Sequence, residues 1–232
     1  MSPSKLNSYI LLTAKPWHDL LYESLVKRNS ETWFRISDKE ELTFDKVSSY
    51  NPTKIFIPHW SYIIPEAIWK NFTCVVFHMT DLPYGRGGSP LQNLIVRGHS
   101  ETVISAIKIN KGIDTGDIYC KSPLNLEGSA HEIFERSTPI IAKMIERIIE
   151  ERLIPYPQRG TPVHFKRRKE DDGRLNRLSD LEEVYNYIRM LDAEGYPSAF
   201  VETENFIIKF KEAKLSVARN SELHANVIIT KK

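Results

Sequence analysis

Cysteine is nearly missing from this 232-residue chain. Two thiols, Cys74 and Cys120, are too few for a disulfide framework. Cys74, inside the run Cys74-Val75-Val76-Phe77, reads as a small core residue. Long apolar runs are missing too. None approaches the roughly 18 to 20 residues that a membrane-crossing helix needs, so no membrane partner is expected. The opening Met1-Ser2-Pro3-Ser4-Lys5 has no apolar leader stretch or small-residue cleavage site, and a cytoplasmic location is the expectation. An excess of one charge is also absent: 32 basic against 30 acidic residues give a formal +2. That balance argues against a broad electrostatic nucleic-acid surface, though not against a local patch. No internal repeat, low-complexity stretch or convincing metal-ligand cluster appears, and no metal is expected. His18, His59, His99, His131, His164 and His224 are scattered and read as structural or exposed.

What is present is an alternation of two hydrophobic periods. Compact apolar runs at Tyr9–Thr13, Trp33–Ile36, Lys54–Pro58 and Cys74–His78 suit buried strands. Helical spacing at Pro16–Val26 and Ile63–Trp69 falls between them. This alternation predicts an α/β, Rossmann-like, doubly wound and mostly parallel sheet. The turn-rich Pro83-Tyr84-Gly85-Arg86-Gly87-Gly88-Ser89-Pro90 follows, with Ser89 and Pro90 placed to cap and start a helix. Strands are expected at Val103–Ile109 and Asp117–Leu124, and an amphipathic helix over Ile133–Leu153. Pro155, Pro157 and Pro162 then break the pattern. The charged segment His164–Asp172 reads as solvated. A helix at Asp180–Leu191 and strands within Phe200–Val217 and at Val227–Thr230 complete a small C-terminal α+β appendage.

Open parallel sheets place ligands beyond the carboxyl ends of their strands. Two polar segments are expected to meet there: His78-Met79-Thr80-Asp81-Leu82-Pro83, and Gly112-Ile113-Asp114-Thr115-Gly116-Asp117. A histidine and a carboxylate brought together can act as an acid/base pair. From spacing alone, the same histidine reads first as a structural or incidental one at a strand end.

The two segments, with Arg86-Gly87-Gly88-Ser89-Pro90-Leu91-Gln92 between them, resemble the core of the folate-dependent formyltransferase family. The family pattern runs Asn-x-His-x-Ser-x-Leu-Pro, Arg-Gly-x-x-Pro-x-Gln and Gly-x-Asp-Thr-Gly-Asp. Here the interval from His78 to Asp114 matches the family spacing without a gap. Weaker similarity runs through Tyr156-Pro157-Gln158, Phe165-Lys166-Arg167-Arg168 and Ile188–Phe200. The resemblance implies a catalytic domain over residues 1–155, with residues 156–232 as an appendage and a candidate dimer contact. It also implies catalytic roles for His78 and Asp114, and 10-formyltetrahydrofolate as formyl donor. The folate would lie beside Trp60, Ser61, Tyr62, Leu82, Pro83 and Asp114; Trp60 reads alternatively as core.

One position departs from the pattern. The family asparagine that holds the developing oxyanion falls at Val76, whose side chain cannot donate a hydrogen bond. Thr80, in place of the family serine, keeps its hydroxyl. Three readings stay open at Val76: another donor such as a backbone amide or Asn93, a slower enzyme, or a non-catalytic binder of folate or nucleotide sugar. For the acceptor, the Arg86-Gly87-x-x-Pro90-x-Gln92 arrangement resembles the branch acting on methionyl-tRNA and nucleotide-linked amino sugars. Glycinamide ribonucleotide is the remaining alternative. About 30 residues after Phe200 read as too few for the C-terminal barrel of the tRNA enzymes. A nucleotide-linked amino sugar is therefore the acceptor expected, with no nucleic-acid partner and with a homodimer as the candidate assembly.

Overall fold

The structure, a computed structural model, describes residues 7–28, 31–216 and 222–232. Residues 1–5, on which the leader reading rests, and Val217 lie outside the described residues. The described chain divides into two compact units. One comprises residues up to Arg86 with Val103–Leu124 and Glu135–His164; the other comprises Gly87–Thr102, Asn125–Phe134 and Phe165–Lys232.

The first unit is built on strands β1 (Ser8–Leu12), β2 (Thr32–Ile36), β3 (Lys54–Pro58) and β4 (Cys74–His78). Their registers are parallel, in the order β2-β1-β3-β4. Ile10, Leu12, Ile36, Ile55 and Ile57 are buried in one cluster, and Leu11 and Phe56 on the opposite face are buried too, as expected for strands covered on both faces. Helices α1 (Asp19–Arg28), α2 (Phe44–Tyr50) and α3 (Glu66–Asn71) make the crossovers. Leu21 and Leu25 fill the core side of α1, whereas Leu20 and Val26 are exposed. The helix α2 has little apolar periodicity, Val47 being its buried residue. Its start follows from Thr43, whose hydroxyl accepts a hydrogen bond from Lys46 N.

The short β5 (Arg86–Gly87) and α4 (Pro90–Ile95) follow. Ser89 stands before α4 with φ +52° and does not cap it; its hydroxyl accepts from Arg168 N instead. The next strands, β6 (Glu101–Lys108) and β7 (Ile118–Asn125), extend the large sheet to six. The pairing of β6 with β4 is antiparallel. The long α5 (Ala130–Glu150) buries Ile141, Ile145 and Ile148.

The second unit carries α6 (Leu181–Arg189), capped by the Asp180 carboxylate, which accepts from Glu182 N and Glu183 N. A short β8 (His164–Phe165) precedes it and pairs with β5. Strands β9 (Ala199–Glu202), β10 (Phe206–Leu215) and β11 (Leu223–Lys231) form an antiparallel sheet, ordered β11-β10-β9. No described helix is long and apolar enough to cross a membrane.

Candidate active site

His78 ends β4 and is 6% exposed. Its Nε2 lies 2.8 Å from the carbonyl oxygen of Gly85. A carbonyl can only accept, so Nε2 carries the proton of the neutral ring. The second nitrogen, Nδ1, is then a bare acceptor when the ring is neutral, and it lies 3.6 Å from Asp114 Oδ2. Two acceptors face each other across that gap. A proton arriving at Nδ1 converts them into an ion pair, so the geometry makes Nδ1 the nitrogen at which His78 can take up and release protons.

The loop between His78 and Gly85 is pinned along its length. Ser105 Oγ donates to Thr80 O at 2.7 Å, and Tyr84 N donates to Asp81 O at 3.0 Å. Lys121 Nζ donates to Leu82 O at 2.7 Å and pairs with the Asp81 carboxylate. Leu82 and Pro83 are buried, and the bond between them is cis. These contacts hold the Gly85 carbonyl that fixes the imidazole.

Asp114 reaches His78 by a route the parallel-sheet rule did not predict. Because β6 runs antiparallel to β4, the connection to β7 departs beside Cys74, where Ile109 N donates to Cys74 O. Asp114 still comes within 3.6 Å of His78 at the carboxyl end of β4, but by another route: the loop leaves beside the amino end of β4 and folds back. Gly116 makes the fold-back feasible, since a Cβ there would stand 1.6 Å from the Lys108 carbonyl oxygen.

The other expected site residues divide. Leu82 joins Ile107, Ile118 and Val76 in a small apolar cluster. Leu82 and Ile118 also floor a cavity of about 370 Å³, whose wall holds Tyr156, Pro157, Lys121 and Arg159. Trp60 packs on the core with Ile57 and Ile64, and meets the exposed Tyr62 edge-on at 5.5 Å. The indole Nε1 of Trp60 is buried with no hydrogen-bond partner among the described residues. Ser61 is exposed. Val76 is packed between the two apolar clusters. Asn93 has its amide hydrogens directed at the carbonyls of Gly88, Ser89 and Lys166, each at 3.0 Å, and is not an unengaged donor.

Sequence reasoning missed two features. His18 and His59 are not scattered: they stack at 5.0 Å beyond the carboxyl ends of β1 and β3. His18 is fully buried and its Nδ1 lies 2.7 Å from Thr13 Oγ1. Burial, with His59, Arg35 and Lys15 nearby, pushes the His18 pKa down to about 2. Burial and Lys15 push His59 down to about 3. The second feature is Gln158, whose block Tyr156-Pro157-Gln158 was the available signal. Its amide contacts the Asp114 loop.

A Rossmann-like sheet carrying a buried histidine within 3.6 Å of a partly exposed carboxylate defines a candidate acid/base transfer site. Comparison with known proteins narrows the class. Residues 170–230 match the family model described as methionyl-tRNA formyltransferase, C-terminal domain. A methionyl-tRNA formyltransferase from Rickettsia felis is 25% identical over 95% of this chain and 73% of its own length. The structure of a methionyl-tRNA formyltransferase from Clostridium thermocellum is 47% identical, with a TM-score of 0.94 over 98% of this chain and 100% of that one. A 4-N formyltransferase from Francisella tularensis shares the fold, with a TM-score of 0.65 at 14% identity over 85% of this chain and 93% of that one. This chain belongs to the formyltransferase family.

Proposed function

We propose that this formyltransferase takes its formyl group from 10-formyltetrahydrofolate and passes it to the amine of methionyl-tRNA. The observation that carries the chemistry is His78 Nδ1 facing Asp114 Oδ2 while Nε2 is held by Gly85. When bound, the donor supplies an electrophilic formyl carbon. Attack by an amine releases a proton from the attacking nitrogen, and the departing folate nitrogen must regain one. His78 Nδ1 can hold that proton between the two events, and Asp114 stabilises the imidazolium while it does. Our candidate folate neighbours stay Trp60, Ser61, Tyr62, Leu82 and Pro83: Ser61 and Tyr62 are exposed, and Leu82 lines the cavity with Ile118.

The amino-sugar expectation rests on chain length, a ground removed by the Clostridium thermocellum protein, which is matched over 98% of this chain and 100% of that one. The full-length likeness to the Clostridium thermocellum protein and the match over residues 170–230 both favour methionyl-tRNA. The sugar enzyme compared above shares only the fold. Near-neutral net charge does not oppose a tRNA acceptor, because Lys166, Arg167 and Lys169 are exposed together as a local cationic strip. Strands β9 to β11 remain our candidate for a homodimer contact.

The test is a mass-spectrometric formylation assay with 10-formyltetrahydrofolate, offering methionyl-tRNA beside a panel of nucleotide-linked amino sugars. Formylmethionyl-tRNA is the expected product. Product on a sugar alone would overturn the acceptor, donor hydrolysis alone would indicate a deformylase, and binding without turnover would indicate the non-catalytic reading.

A further inference from the structure

Gln158 uses its whole amide on two segments that flank the candidate acid/base pair. Its Nε2 donates to Asp114 O at 2.9 Å and to Gly116 O at 2.8 Å. Its Oε1 accepts from Arg86 Nε at 3.1 Å and Arg86 Nη2 at 2.8 Å. Two donors and two lone pairs are thereby spent, which is the full capacity of a primary amide. Arg86 directly follows Gly85, whose carbonyl fixes His78 Nε2. The contacts close a ring: His78 to Gly85, along the chain to Arg86, across to Gln158, on to Asp114, and back to His78.

The ring has work to do at Asp114. That residue has φ +52°, a left-handed conformation that costs most non-glycine residues about 1–2 kcal/mol and aspartate less. Such strain persists where surrounding contacts over-determine it. The Gln158 amide holds the carbonyl of Asp114 itself and that of Gly116, two residues on. Gln158 is itself held in register, because Tyr156 and Ile118 exchange backbone hydrogen bonds at 2.9 and 2.8 Å. The neutral side chain also matters. A carboxylate here could accept from Arg86 but would face two carbonyl oxygens with nothing to donate.

We propose that Gln158, anchored by Arg86, is a positioning residue that sets the separation of His78 Nδ1 and Asp114 Oδ2. The kinetic part of this rests on the formyl-transfer reading above; the geometric part does not.

The experiment compares Gln158→Glu, Gln158→Ala and Arg86→Lys with wild type. The readouts are steady-state formylation from 10-formyltetrahydrofolate, its pH–rate profile, thermal melting, and ¹⁵N chemical shifts of the His78 ring. Gln158→Glu and Gln158→Ala should each lower kcat by about 10- to 100-fold, the scale of a roughly 1 Å misplacement. The KM for the donor should stay within about twofold, the acid limb should move, and the Nδ1 shift should change while Nε2 stays protonated. Arg86→Lys, which keeps the charge but loses the bidentate grip, should give a smaller change of the same kind and covers the case in which the Gln158 variants do not fold. Wild-type kcat and pH profile in the variants would overturn the proposal, as would losses that follow melting temperature with an unmoved acid limb. If wild type transfers no formyl group, the function fails while the ¹⁵N shifts still decide the positioning: an unchanged Nδ1 signal in the variants refutes it.

Discussion

Acidification should destabilise this fold well before its carboxylates titrate, because His18 and His59 are stacked in the interior as neutral rings. Folded pKa values of about 2 and about 3 lie far below the roughly 6.5 of an unfolded histidine. The unfolded chain therefore binds more protons, so stability is complete above about pH 6.5 and falls as pH drops below it. At pH 5 each ring costs about 2 kcal/mol, from about 1.4 kcal/mol per pH unit, and the pair about 4. That is a large part of a typical domain's 5–15 kcal/mol. Urea unfolding at pH 7.5, 6.5, 5.5 and 5.0 reads the slope. A His18→Asn variant, with one titrating ring removed, should retain about half of it. A flat stability between pH 7.5 and 5, or an undiminished slope in the variant, would show that the rings take protons in the folded state.

Three substitutions probe the catalytic neighbourhood. Gly116→Ala would drive a Cβ into the Lys108 carbonyl oxygen, so it should cost more than about 2 kcal/mol in denaturant unfolding and remove activity. Gly112→Ala should be milder, because the nearest obstacle is the Thr115 hydroxyl at the end of a side chain that can rotate. Val76→Asn places an amide between two apolar clusters, and unless a partner is found it should lower stability by about 1–3 kcal/mol. A concurrent rise in kcat would show that the native oxyanion contact is weak; unchanged kcat would show that Val76 lies out of reach of the formyl oxygen.

The strands could be read from the sequence where burial on both faces writes itself as an unbroken apolar run. Lys54–Pro58 and Cys74–His78 have the same bounds in the structure. What escaped was information carried by partners distant in the chain. Ser89 looks like a helix cap, yet its hydroxyl is taken by Arg168, 79 residues away. The antiparallel pairing of β6 with β4 has no local signature, so the path of the Asp114 loop could not be foreseen. The His78–Asp114 pairing itself came from family resemblance; periodicity alone left His78 as an ordinary strand-end histidine. The choice of Nδ1 needed the Gly85 carbonyl in place.

The most direct measurement is the single-turnover formylation rate of Asp114→Asn beside wild type and His78→Ala, at saturating 10-formyltetrahydrofolate and methionyl-tRNA. Asparagine preserves the shape of the loop and removes the charge that supports a proton on Nδ1. A fall of about 10²- to 10⁴-fold in both variants, with an unaltered fold, is the result expected of an acid/base pair. Rates within a few-fold of wild type in either variant would mean that the formyl group moves without them.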